Sequence, residues 1–112
     1  MKQQNILVVE KFLNALKNKD LTAAPVAEDL YFEEPLSGSG RGPEALEAFV
    51  SGFLPALSDV RILHHVADGE FVVTTWEADG VFGKIRILEK FRVVDGKIKE
   101  FYAFYDPRPI TG

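Results

Sequence analysis

Residues 81–93 read Val81-Phe82-Gly83-Lys84-Ile85-Arg86-Ile87-Leu88-Glu89-Lys90-Phe91-Arg92-Val93. Alternate positions give Val81, Gly83, Ile85, Ile87, Glu89, Phe91 and Val93 in one set, and Lys84, Arg86, Lys90 and Arg92 in the other. A period of two places the sets on opposite faces of a β-strand, one dry and one wet. Glu89 falls in the dry set, between Ile87 and Phe91. An ionised carboxylate in apolar surroundings is costly, so it pairs, finds water or takes up a proton. Glu89 is therefore expected in a pocket wall, and the bland alternative is a buried salt bridge or a place at the sheet rim.

Working outward, three further strands are expected over residues 60–66, 71–78 and 97–105. The dipeptides Asp68-Gly69, Asp79-Gly80 and Asp95-Gly96 are read as the turns of antiparallel hairpins. Upstream the pattern changes. Ile6, Val9, Phe12, Leu13 and Leu16 recur at helical spacing, which predicts a core-facing helix over residues 3–18. A short helix is expected over 22–28, with Thr22 as its cap and Pro25 in its first turn. Residues 30–34 read as a strand stopped by Pro35, and 37–42 as loop. A third helix starts at Pro43 and turns Leu46, Phe49, Val50 and Phe53 inward. Helices first and a meander second predict an α+β fold, with three N-terminal helices on a curved antiparallel sheet.

The chain has 112 residues, a net charge of −4 and 46% hydrophobic residues, as expected of one domain around one core. Its basic residues neither exceed its acidic ones nor cluster with exposed aromatics, so no nucleic-acid partner is expected. The stripe Lys84, Arg86, Lys90, Arg92 is read as a solvated strand face. No apolar run approaches a membrane span, and no signal peptide is read at the N-terminus. The absence of cysteine excludes disulfides, thiolate nucleophiles and cysteine-bound metals, and it fits a reducing cytoplasm. His64 and His65 point to opposite faces without a metal-ligand spacing, so no metal and no cofactor is expected. Ser37, Ser39, Ser51 and Ser58 lie in loops or at helix ends with no histidine to serve them.

A second carboxylate shares the anomaly of Glu89. Leu30, Phe32 and Glu34 fall on one face of the first strand, and Tyr31 and Glu33 on the other. If the sheet curls around a cavity, both carboxylates can point into it. A pair in unlike environments can then divide into one proton acceptor and one protonated donor, the chemistry of enolisation. For Glu34 the alternative is an ordinary solvated acid at a strand end. Phe12, Phe32, Phe49, Phe53, Trp76, Ile87, Phe91, Phe101 and Tyr105 are expected first as core and also as walls of the cavity.

The order of Phe12-Leu13-Asn14-Ala15-Leu16, Lys19-Asp20-Leu21, Phe32-Glu33-Glu34-Pro35, Gly40-Arg41-Gly42-Pro43 and the final hairpins resembles the nuclear transport factor 2-like superfamily. The resemblance is to its SnoaL-like and ketosteroid isomerase-like branch. It covers nearly the whole chain, and the order and spacing of the motifs carry it. It implies a cone-shaped fold with an internal pocket, a small hydrophobic ligand and a homodimer built on the outer face of the sheet. That face is expected to show Phe82 and Leu88. By the resemblance Glu34 falls at the general base of the isomerase and Glu89 at its protonated acid, a carboxyl that the isomerase keeps neutral in an apolar site. The isomerase's helical oxyanion tyrosine corresponds to Phe12, which has no hydroxyl. A donor from elsewhere would be Tyr31, Tyr102 or Tyr105. The Asp-Arg-Asp set of epoxide-hydrolase relatives cannot be assembled from this chain, and Arg41 is read as a loop residue. Two functions follow as expectations: an isomerase or cyclase acting on a hydrophobic carbonyl compound, or a non-catalytic ligand-binding or dimerisation domain.

Overall fold

Helix α1 spans Lys2–Lys17 in the computed structural model, which describes residues 2–112. Its buried stripe is Val9, Phe12, Leu13 and Leu16, the three-and-four spacing that turns one helix face inward. Lys19 adopts a left-handed φ of 58°, and the Asp20 amide donates to the Ala15 carbonyl at 3.0 Å. Those contacts end the helix by satisfying its last carbonyls.

The helix expected over residues 22–28 does not form. Asp20 accepts from the Thr22 amide and caps a single 3-10 turn, Leu21–Ala23. Pro25 then disfavours helical backbone at Ala24, which is extended. Val26 pairs with Ile98, and the Ile98 amide donates to the Pro25 carbonyl at 2.8 Å. The stretch therefore joins strand β1, Val26–Glu34. Residues read as loop supply a short strand, β2, Gly38–Arg41. Gly40 makes this possible, because a Cβ there would occupy the space of the Phe32 ring.

Helix α2 spans Pro43–Ser51, with Pro43 in its first turn and Leu46 and Val50 buried. A 3-10 turn, Leu54–Ala56, leads into the meander β3 (Leu57–Asp68), β4 (Phe71–Gly80), β5 (Gly83–Val94) and β6 (Lys97–Phe104). Asp95-Gly96 forms its turn as expected, both residues at positive φ. The other two turns lie one or two residues later than expected, at Gly69-Glu70 and Val81-Phe82. Val81, expected on the dry face, sits in a turn and is 89% exposed. A four-residue helix α3, Arg108–Thr111, follows β6.

The class is α+β, three helices against a curved six-stranded sheet of order β2-β1-β6-β5-β4-β3. The third α-helix is C-terminal rather than N-terminal. The sheet is mixed rather than wholly antiparallel, since β1 runs parallel to β6. Register shifts in β1/β6, β3/β4 and β5/β6 bend it. α1 packs across β3 to β6, and α2 covers β1 and β2. The space left between the two helices and the inner face of the sheet is the cavity.

Candidate functional site

Successive rows of side chains cross the inner face of the sheet. Val72, Phe91 and Phe101 form one row; His65, Thr74, Glu89 and Ala103 the next; Trp76 and Ile87 the third; Ala78 and Ile85 the fourth. The first row packs against α1, where Phe12 meets Phe91 edge-on at 5.7 Å and Phe101 at 5.6 Å. That plug closes one end. Toward the Gly80–Gly83 hairpin the rows open into a cavity of about 60 Å³. Its walls include Phe12, Phe49, Phe53, Trp76, Ile87, Phe101 and Tyr105 of the expected residues, together with Glu34 and Glu89. Glu89 is thus near the closed end, and Phe82 and Ile110 also line the cavity.

Two expected wall residues do not line it. Phe91 is fully buried in the plug, and Phe32 stacks on Phe101 at 5.1 Å behind the wall. Phe82, expected on the outer face, folds from its turn into the cavity lining, because a turn residue does not obey strand alternation.

Glu89 is 3% exposed and receives one hydrogen bond among the described residues, from the Trp76 indole N–H to Oε1 at 3.0 Å. No fully buried side-chain oxygen lacks a partner among the described residues, so its second oxygen meets cavity space. Burial pushes this carboxyl up to about 8, against the smaller opposing pull of the Trp76 bond. No cation among the described residues approaches it: the basic residues of β5 lie on the outer face, where Arg86 binds Glu77 and Arg92 binds Glu70 and Glu100. Among the described residues, Glu89 therefore has no salt-bridge partner. A neutral carboxyl is a hydrogen-bond donor, and this one faces an otherwise apolar space.

Glu34 is 4% exposed, but its setting differs. Pro35 turns the chain back toward β2, and the turn aims its donors at the carboxylate. Oε1 accepts from the Leu36 and Ser37 amides, each at 2.7 Å. Oε2 accepts from the Ser37 hydroxyl at 2.6 Å and the Ser37 amide at 3.1 Å. These bonds fix the side chain and occupy both oxygens.

The three candidate tyrosines separate cleanly. Tyr31 and Tyr102 lie on the outer face, donating to Glu33 at 2.6 Å and Glu100 at 3.1 Å. Tyr105, two positions beyond Ala103, returns to the inner face and lines the cavity. Its hydroxyl has no hydrogen-bond partner among the described residues. Burial first, then the charges of Glu34 and Glu89, push its pKa well up and keep it a neutral donor. Arg41 stacks over the Tyr31 ring at 4.9 Å, on the outer side rather than in the cavity.

The sequence reads His65 as structural or surface, and its partners are brought to it by the fold. Its Nδ1 and the Thr74 hydroxyl share a hydrogen bond of 2.7 Å, and its Nε2 lies 3.0 Å from Glu10 Oε2 on α1. A bulge between Ile62 and His64 sets this facing. The signal that could have found it is a threonine, Thr74, among the inward positions Val72, Trp76 and Ala78. No group of three metal-ligating side chains exists among the described residues.

The SnoaL-like domain family matches residues 9–101. The chain belongs to that family. No curated protein sequence matches it. Among solved structures, it is similar to a candidate ketosteroid isomerase from Kribbella flavida DSM 17836, with 18% identity, 94% of this chain and 79% of that one covered, and a TM-score of 0.82. A candidate polyketide cyclase from Sinorhizobium meliloti gives 20% identity, coverage of 87% and 93%, and a TM-score of 0.78. An LEH-like epoxide hydrolase of M. tuberculosis gives 26%, 98% and 88%, with a TM-score of 0.77.

Proposed function

We propose that the protein binds a small, largely apolar carbonyl compound in the cavity and that Glu89, in its neutral form, donates a hydrogen bond to the carbonyl oxygen. The observation that carries this reading is the setting of Glu89: a buried carboxyl with a single Trp76 donor, no cation among the described residues and one oxygen open to an apolar cavity. A ketone entering oxygen first meets that proton near the closed end and leaves its hydrocarbon part along the phenylalanine walls. If charge develops on the oxygen, a preorganised donor in a dry site stabilises it more than water does. Glu34 is then the group to remove a proton beside the carbonyl, giving an isomerase or cyclase. To act as that base it must release a turn donor, and the Ser37 hydroxyl is the one free to rotate. A cytoplasmic setting suits a chain without cysteine.

A second reading is supported by the same residues. Phe12 has no hydroxyl to offer, and both oxygens of Glu34 already serve the turn. A binding domain without turnover needs only Glu89 and the cavity. Conversion of a small β,γ-unsaturated cyclic ketone to its conjugated isomer, followed by absorbance, separates the two. Catalysis is expected to fall by about a hundredfold or more in Glu34→Gln and in Glu89→Gln. Turnover by none of the three proteins, with binding weakened in Glu89→Gln, leaves the binding domain; binding and turnover both unchanged in Glu89→Gln remove the proposal.

We also propose a homodimer formed on the outer face of the sheet. There the register brings His64, Thr75, Leu88 and Phe104 into one row, with Leu88 48% and Phe104 62% exposed. Val66 and Val73 extend the apolar strip in the neighbouring row. Covering such a strip is a reason for a sheet face to pair.

A further inference from the structure

We infer that Glu10, His65 and Thr74 form a proton path between solvent and Glu89, so that the working acid of the proposed site exchanges its proton through the wall of the cavity rather than through its mouth. The path rests on the proposed role of Glu89. His65, Thr74 and Glu89 are consecutive cross-strand partners in one inner row. Thr74 is fully buried, yet its neighbours along β4 on the same face are Val72 and Trp76. An apolar side chain of the same shape would pack there without needing a partner for a hydroxyl.

The links run outward in order. The Thr74 hydroxyl is 2.7 Å from His65 Nδ1, His65 Nε2 is 3.0 Å from Glu10 Oε2, and the Glu10 side chain is 38% exposed. Directly opposed residues of an antiparallel pair hold their Cβ atoms about 5 Å apart. The Thr74 hydroxyl is not hydrogen-bonded to Glu89 as the side chains stand, so the Glu89 carboxyl must turn from Trp76 toward Thr74 to close the path. Among the described residues that line the cavity with Glu89, α1 brings Phe12 and Leu16, β4 Trp76, β6 Ala103, and the ends of β1 and β6 bring Glu34 and Tyr105. Indole does not relay a proton, and in the ligand-free protein both Glu34 oxygens are held by donors of its own turn.

The transfer balances with no added reactant. With Nδ1 protonated, His65 takes a solvent proton at Nε2 beside Glu10. Its Nδ1 proton passes to the Thr74 oxygen as the Thr74 hydroxyl proton passes to the Glu89 carboxylate. His65 is left neutral with its proton on Nε2, and the reverse transfer resets the chain when Glu89 ionises.

Trp76 is the single tryptophan and donates to Glu89, so its fluorescence reports that carboxyl's ionisation. The experiment is a stopped-flow pH jump across the Glu89 transition on the ligand-free protein, with Glu89→Gln as the variant that should lose the signal. Thr74→Val keeps the shape and removes the relay, and the relaxation is expected to slow about tenfold or more. Thr74→Ser keeps the hydroxyl and should relax near the unsubstituted rate. Glu10→Gln, a change on the helix surface that spares the core, should also slow it. Unchanged rates in Thr74→Val and Glu10→Gln overturn the path and send the proton through the mouth. Equal slowing in Thr74→Ser and Thr74→Val overturns it as well, because packing would then be the cause. An ordinary midpoint for Glu89 would sink the proposed function instead, while the rate comparison would still decide the path.

Discussion

Glu89 makes the site testable through stability alone. Its carboxyl is pushed up to about 8 in the folded protein, whereas in the unfolded chain it titrates near the ordinary value of about 4.3. Between those two values the folded state holds a proton that the unfolded state has lost. Stability is therefore fully present below about pH 4, falls as pH rises toward about 8, and changes no further above it through this group. Glutamine keeps the Trp76 bond and cannot ionise. In denaturant titrations Glu89→Gln should be the more stable protein above pH 8, by on the order of a few kcal/mol. It should also lose the decline between the two pH values; parallel profiles would contradict the burial of an ionisable group. At this scale the sequence is legible where alternation is unbroken. Ile85, Ile87, Glu89, Phe91 and Val93 all face inward as the pattern of residues 81–93 requires. It is not legible at Val81 and Phe82, where a two-residue turn suspends the alternation. Nor does it reveal the donors on Glu34, which come from backbone amides that every residue but proline carries.

The elements show why the hairpin beside the cavity sits where it does. Gly80 faces the carbonyl of Ala56 and the Phe82 ring so closely that any Cβ would strike both. The Val81 amide donates to that same Ala56 carbonyl at 3.0 Å, tying the β4–β5 turn to the 3-10 turn after α2. Gly80→Ala should displace this corner and cost about 1 to 3 kcal/mol, read from the shift in denaturation midpoint. A cost near zero would mean the contact yields freely. Composition marks Asp79-Gly80 as a turn, but the glycine is required by a close approach, and the turn falls on the next two residues. A similar tertiary demand explains the lost second helix. Local signals around Thr22 and Pro25 permit one helical turn, and pairing of Val26 with Ile98, far along the chain, takes the remainder into the sheet. The parallel β1–β6 pairing has no local signal at all, because hairpin dipeptides announce only antiparallel neighbours.

For the whole molecule, the layout divides the two faces of one curved sheet between two tasks. The inner face carries the helices and the cavity; the outer face carries ion pairs around Glu77 toward one end and around Arg92 toward the other, with the apolar strip of Leu88 and Phe104 between them. No described helix is long and apolar enough to cross a membrane. If the strip joins two copies, the protein should sediment at twice its chain mass of 12.5 kDa, and Leu88→Glu with Phe104→Glu should return it to that mass without unfolding it. Sedimentation of the unsubstituted protein at the single-chain mass would remove the dimer. The cavity lies on the opposite, inner face of the sheet. On the proposed reading, what defines it chemically is the neutral carboxyl of Glu89 near its closed end. The most direct test is a carboxyl-carbon NMR titration of the glutamates, with Glu89→Gln and Glu34→Gln providing the assignments. A Glu89 midpoint near 8 is the expected result, and a midpoint near the free-glutamate value of about 4.3 would contradict it.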